Sequence, residues 1–150
     1  MKNRTLTKLT KDEILAGLNE ALLAEQQAVL DYDAHAQASD RTDIREALTT
    51  LRDVEREHAL RLAVRITALG GTPVSQAAEP QPVGDTLAAQ LTRDLESEQW
   101  AIVEYARLVA GILHDTETTD LMTELLMDEI RHARWLKTTL HSLSTERQEE

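Results

Sequence analysis

All three prolines (Pro73, Pro80 and Pro82) and three of the five glycines (Gly70, Gly71 and Gly84) fall in a single stretch, GGTPVSQAAEPQPVG, at residues 70–84. These are the strongest local breakers of regular structure, so the stretch reads as a linker that cuts the chain into near-equal halves. Within each half, apolar residues recur with a period near 3.6, which is the pattern of amphipathic helices. Composition agrees. The chain has no Phe and four aromatic residues in all (Tyr32, Trp100, Tyr105 and Trp135), so its core must be built from Leu, Ile, Val and Ala. Such a core suits helices better than strands.

Each half divides once more. Thr10-x-x-Glu13 forms a capping-box signature ahead of Ile14. From there Ile14, Leu18, Ala21, Leu22, Val29, Tyr32 and Ala36 line one face of a first helix. The polar break SDRTD at 39–43 opens a second helix, striped by Ile44, Leu48, Leu51, Leu62 and Ile66 and ending at Gly70. Asp85 or Thr86 caps a third, with Leu91, Leu95, Ile102, Tyr105 and Val109 on its stripe. After HDTETTD at 114–120, a fourth carries Met122, Leu125, Leu136 and Leu140, and the tail STERQEE is expected to fray. The prediction is one all-α domain over 1–150, a four-helix bundle made of two antiparallel hairpins, about 11–69 and 86–143, joined by a crossover at 70–85. That linker can extend about 50 Å at roughly 3.3 Å per residue, enough to run the length of a ~28-residue helix.

Several functions are excluded. The chain has 16 Lys+Arg against 27 Asp+Glu, a net charge of −11, which lacks the basic footprint that nucleic-acid binding needs. Without Cys there can be no disulfide, iron–sulfur cluster, thiolate zinc or rubredoxin-type iron site. No run approaches the ~18–20 apolar residues of a membrane span, and MKNRTLTKLTKDE has no apolar signal core. A cytoplasmic protein is expected.

Every apolar stripe is interrupted midway by charge. Glu25 sits between Leu22 and Val29, and Glu55 with His58 between Leu51 and Leu62. Glu98 sits between Leu95 and Ile102, and Glu129 with His132 between Leu125 and Leu136. Glu25 and Glu55 are centred on residue 40, inside the first turn, and Glu98 and Glu129 on 113–114, at the second. Residues equidistant from a hairpin turn share a level, here about 23 Å along the axis, so all four carboxylates can meet near mid-bundle. The halves also repeat one another: AEQQAVLDY (24–32) parallels SEQWAIVEY (97–105), and VEREHA (54–59) parallels DEIRHA (128–133), at offsets of 73 and 74.

Four carboxylates in an alkane core repel one another, and each costs several kcal/mol to desolvate. Two divalent cations balance their charge, and Glu-x-x-His places an oxygen and a nitrogen ligand on one helix face. Sulfur-free ligation of this kind suits Fe or Mn and tolerates Zn. One Glu on each of two helices plus Glu-x-x-His on the other two resembles the ferritin-like di-iron carboxylate superfamily, bacterioferritins and rubrerythrins, over about residues 12–141. The resemblance implies two Fe ions held by Glu25, Glu55, His58, Glu98, Glu129 and His132, with Glu55 and Glu129 as bridges. It also implies oxidation of Fe(II) by O2 or H2O2.

For the third helix, a gapless alignment with bacterioferritin offers Glu96, but Glu98 lies on the continuous stripe and obeys the repeat, so Glu98 is chosen. The resemblance has departures. Arg56 stands where bacterioferritin has its haem-binding Met, so no haem is expected. Eighteen residues follow His132, too few for the fifth helix of cage-forming ferritins. Ala101 replaces an additional rubrerythrin Glu, and no rubredoxin domain can form without Cys. Tyr32 and Tyr105, seven residues after their Glu, can hydrogen-bond ligand carboxylates across the bundle or donate electrons, and Asp128 can orient a His on a neighbouring helix. Trp100 and Trp135 are read as packing, and His35 as a core-edge or exposed residue. The alternatives to a ferroxidase or peroxide-reducing oxidoreductase are an iron-storage cage subunit, a bundle that Zn or Mn merely folds, and oxygenation of an organic substrate. A solvent-facing helix side bearing Leu or Trp leaves a homodimer or a higher homo-oligomer open.

Overall fold

Thr10 accepts a hydrogen bond from the Glu13 amide while the Glu13 carboxylate accepts from the Thr10 amide, completing the capping box that opens α1, Lys11–Ala38. The protein, seen in a computed structural model that describes residues 8–148 apart from 76–78, 80 and 82, continues with α2 (Thr42–Ala68), α3 (Leu87–Gly111) and α4 (Thr116–Gln148). Helix α2 closes at Gly70, whose φ of 86° lies in the left-handed region that a side chain disfavours. The Gly71 amide then donates back to the Ile66 carbonyl. Of the two candidate caps for α3, Thr86 is the one used, accepting from the Ala89 amide at 3.1 Å. Asp115 opens α4 by accepting from the Thr118 amide at 3.1 Å.

The ends of the helices show how they are arranged. The Leu9 amide donates to the Gly111 carbonyl at 2.9 Å, setting the end of α3 beside the start of α1. Arg65, near the end of α2, pairs with Asp115 and Glu117 at the start of α4, and Arg41, before α2, pairs with Glu146 near the end of α4. Helices α1 and α3 are therefore antiparallel, as are α2 and α4. The linker runs alongside α1: Asn19 binds both the Thr72 carbonyl and the Val74 amide, and Gln27 reaches the Glu79 carbonyl. This is a four-helix bundle with a long crossover, as the sequence predicts. Pro80, Pro82 and residues 76–78 of the linker lie outside the described residues.

Two apolar clusters hold the ends of the bundle together. One contains Leu18, Leu22, Leu62, Ile66, Leu108, Met122 and Leu125. The other contains Tyr32, Ile44, Leu48, Leu51, Leu91 and Leu136. Each fully buried Leu or Ile contributes roughly 1.5–3 kcal/mol, so these clusters carry the stability while a charged layer lies between them. At Gly17, a Cβ would approach Leu108 to 2.6 Å, which shows how closely α1 and α3 pack near one end.

The expected fraying at STERQEE is corrected. Helix α4 continues to Gln148 because nothing in the tail breaks it: Leu143 packs on the second cluster and Glu146 pairs with Arg41 at 3.1 Å. Glu149 and Glu150 lie outside the described residues. Among the described residues, no helix is long and apolar enough to cross a membrane.

Candidate metal centre

The six charged interruptions of the stripes converge between the two apolar clusters. Glu25, Glu55, His58, Glu98 and Glu129 are each at most 2% exposed, and His132 is 6% exposed. His58 Nδ1 lies 3.0 Å from Glu129 Oε1, 3.4 Å from Glu25 Oε1 and 3.7 Å from Glu55 Oε1. His132 Nδ1 lies 2.9 Å from Glu55 Oε1, 3.4 Å from Glu98 Oε1 and 3.9 Å from Glu129 Oε1. The two imidazoles face the same centre with ring centroids 6.4 Å apart.

Proximity here is not hydrogen bonding. Glu25 Oε2, Glu55 Oε1, His58 Nδ1, Glu98 Oε2, Glu129 Oε1 and His132 Nδ1 are all buried without a hydrogen-bond partner, one atom from each of the six residues. Buried polar atoms are nearly always satisfied, and leaving one unpaired costs about 1–3 kcal/mol. Six on residues gathered at one level of the core mark a place suited to a cation. Their atoms fall into two groups, Glu25–Glu55–His58–Glu129 and Glu55–Glu98–Glu129–His132, each within 4.8 Å. Glu55 and Glu129 belong to both.

The surrounding residues orient these side chains. Asp128 Oδ2 accepts from His58 Nε2 at 2.8 Å, which leaves Nδ1 turned to the centre. The related position in the other half is Val54, which has no carboxylate to offer a ring nitrogen. The tyrosines cross the bundle: Tyr32 donates to Glu98 Oε1 at 2.5 Å, and Tyr105 to Glu25 Oε1 at 2.6 Å. Burial, reinforced by the neighbouring carboxylates, raises both phenols well above their ordinary value, so they remain donors.

The electrostatics show the stress of this layer. Burial and then the charge of Glu25 push the carboxyls of Glu55 and Glu129 well above the usual carboxylate range. Burial also opposes a charge on Glu98, but the close approach of Glu129 and His132 and the hydrogen bond from Tyr32 outweigh it and hold Glu98 low. Burial pulls His58 down, yet Glu129 and Glu25 overcome it and push the imidazole up to about 11. The raised values of Glu55, Glu129 and His58 all favour bound protons, which offset the negative charge that the carboxylates bring to this layer.

Other residues fall differently. Glu96 is exposed, not in the cluster. His35 is not at an exposed edge: it is 2% exposed and lies 2.7 Å from the buried carboxylate of Asp94. Sequence reasoning missed this pair because its two members sit on different helices. Trp135 packs against the second apolar cluster, whereas Trp100 is 43% exposed rather than packed inside.

The comparisons with known proteins agree with this geometry. The family model for the ferritin-like domain matches residues 15–145. A bacterioferritin of Mycolicibacterium paratuberculosis is 30% identical over 133 residues, covering 85% of this chain and 84% of its own. A ferritin-like, diiron-carboxylate protein of Bacillus anthracis superposes with a TM-score of 0.79 at 27% identity, covering 87% of this chain and 96% of its own. A bacterioferritin-related dodecameric thioferritin of Bacteroides fragilis superposes at 0.86 and 24% identity, with 95% and 92% covered, and speaks for the fold alone. With four helices, a long crossover and six buried ligand-type side chains at mid-bundle, the chain belongs to the ferritin-like family.

Proposed function

We propose that this protein binds two iron ions in its bundle core and oxidises Fe(II) with O2 or H2O2. The observation that carries the reading is the set of six unpartnered buried atoms, arranged in two groups that share Glu55 and Glu129. Glu25 and His58 would hold one ion, Glu98 and His132 the other, with Glu55 and Glu129 common to both. Oxygen donors with one imidazole each and no sulfur suit iron, and also accept Mn or Zn. When bound, an iron pair supplies electrons to the oxidant. The chain's own residues do the rest. Asp128 keeps the Nδ1 face of His58 toward the site, Tyr32 and Tyr105 fix the rotamers of Glu98 and Glu25, and the apolar clusters on either side exclude bulk water. Arg56 stands where bacterioferritin has its haem-binding Met, and a guanidinium offers no sulfur to a haem iron, so no haem enters this reading.

A storage role for the same site is favoured by the bacterioferritin names of the relatives, which also favour a homo-oligomer. The two roles separate by experiment. Anaerobically loaded protein exposed to O2 should develop a near-ultraviolet band, and Glu129→Gln should not. A hollow shell that goes on taking up iron beyond two ions per chain would make storage the role; turnover without accumulation would make the protein an oxidoreductase. No band from a protein that binds two Fe(II) would contradict the proposal and leave a bundle that metal merely folds.

A further inference from the structure

The internal repeat lets each half of the bundle serve as a control for the other. Between α1 and α3, Tyr32 donates to Glu98, and at the positions related by the offset of 73, Tyr105 donates to Glu25. One turn further along both helices the match ends. Beside Tyr32 and Glu98 stand His35 and Asp94, with Nδ1 of the ring 2.7 Å from Oδ2 of the carboxylate. Beside Tyr105 and Glu25 the same positions hold Leu108 and Ala21, both in the first apolar cluster.

The fold therefore closes around an apolar pair at this place and has no structural need of an ionisable one. His35 and Asp94 are 2% and 3% exposed, and replacing a buried pair of this kind by apolar residues is often neutral or stabilising. Its surroundings point to the reason it is there. Asp94 lies one turn from Glu98 on α3 and His35 one turn from Tyr32 on α1, so the pair adjoins the Tyr32–Glu98 bond. The charge of Asp94 bears on the Tyr32 phenol together with those of Glu98 and Glu55. Burial, with Asp31 and Glu98 close by, keeps the Asp94 carboxyl above its ordinary range although His35 opposes this. Asp31, itself 7% exposed, accepts from Gln27 at 3.0 Å and lies 4.0 Å from Arg93 at the half-buried edge of the bundle.

We propose that His35 and Asp94 form a proton-transfer pair for the metal centre, taking up through the Tyr32 hydroxyl the protons that incoming ions displace from the cluster. The inference rests on the two-metal reading above and adds a route for protons. In each transfer the Tyr32 oxygen accepts a proton from the Glu98 side and its own O–H proton passes to Asp94, which leaves the phenol unchanged. The pair then gives the proton up toward solvent. No electron moves, and neither residue belongs to the ligand set.

The test mixes Zn(II), which is redox-inert, with the metal-free full chain in weak buffer and follows proton release with a pH-indicator dye by stopped flow. Asp94→Asn keeps the size of the side chain and a hydrogen-bonding partner for His35 but cannot take up a proton. The double variant His35→Leu with Asp94→Ala copies the apolar pair of the other half. Both should bind two Zn(II) per chain, with proton release several-fold slower than in wild type. Release at the wild-type rate in either variant overturns the proposal. Loss of two-zinc binding in both does so as well, since the pair would then be a structural prop of the site. A wild-type chain that binds two Zn(II) without releasing protons removes the proposal and leaves the two-metal reading intact. One that binds a single Zn(II) or none overturns both.

Discussion

Glu55 and Glu129 are the residues on which the site turns, because both groups of ligand-type atoms need them. Replacing either with Gln should abolish binding of a second metal ion, while Glu96→Gln should leave the equilibrium stoichiometry unchanged; metal analysis after gel filtration checks both. Asp128→Asn removes the charged acceptor of His58 Nε2 and should weaken metal affinity about 10–100-fold, measured by competition with a chelator. Glu55, Glu129 and the other four ligand-type residues were legible in the sequence because each interrupts an otherwise apolar helical stripe, and because the hairpin turns put the four carboxylates at one level. Tyr32 and Tyr105 were legible as neighbours of the site through their seven-residue spacing. The buried His35–Asp94 pair was not: its partners are 59 positions apart on helices whose relative rotation no spacing rule supplies.

At the scale of the elements, the ends of the helices explain their bounds. Asp115 caps α4 through the Thr118 amide and also receives Arg65 from the end of α2, at 3.3 Å. Burial disfavours its charge, but the bonds from Thr118 and Arg65 prevail and hold its carboxyl below the usual range. Asp115→Ala should therefore cost about 1–2 kcal/mol, seen as a lower urea midpoint with an unchanged slope. The caps Thr10 and Thr86 and the stop at Gly70 were readable from local chemistry alone. The extent of α4 was not, because what holds residues 144–148 in the helix is contact with another element, through Leu143 and through Glu146 on Arg41. The path of the linker over α1 was likewise hidden, since the bonds that hold it there join Asn19, Gln26 and Gln27 to linker backbone about fifty positions away.

For the molecule as a whole, the charged layer trades stability for binding. In the metal-free fold, Glu55 and Glu129 hold protons above the pH at which an unfolded Glu releases them, and His58, up to about 11, holds its proton well above the unfolded value of 6.5. The folded state thus binds more protons than the unfolded one, so stability falls as pH rises from 5 to 8, by about 1.4 kcal/mol per pH unit for each proton of difference. Glu98, held low, acts in the opposite sense, but its contribution is already complete above the ordinary carboxylate range and adds no slope there. Thermal melts of metal-free protein should show this decline, and metal, by displacing the protons, should remove it. The four-helix architecture and the level of the site follow from stripes and turns, whereas the bonds from Tyr32 to Glu98 and from Tyr105 to Glu25 emerge only when α1 and α3 are set side by side. The most direct measurement is an anaerobic calorimetric titration of the metal-free chain with Fe(II) at neutral pH, repeated in buffers of different ionisation enthalpy. The account predicts two ions bound per chain with release of protons. One ion or none, or two bound without proton release, would contradict it.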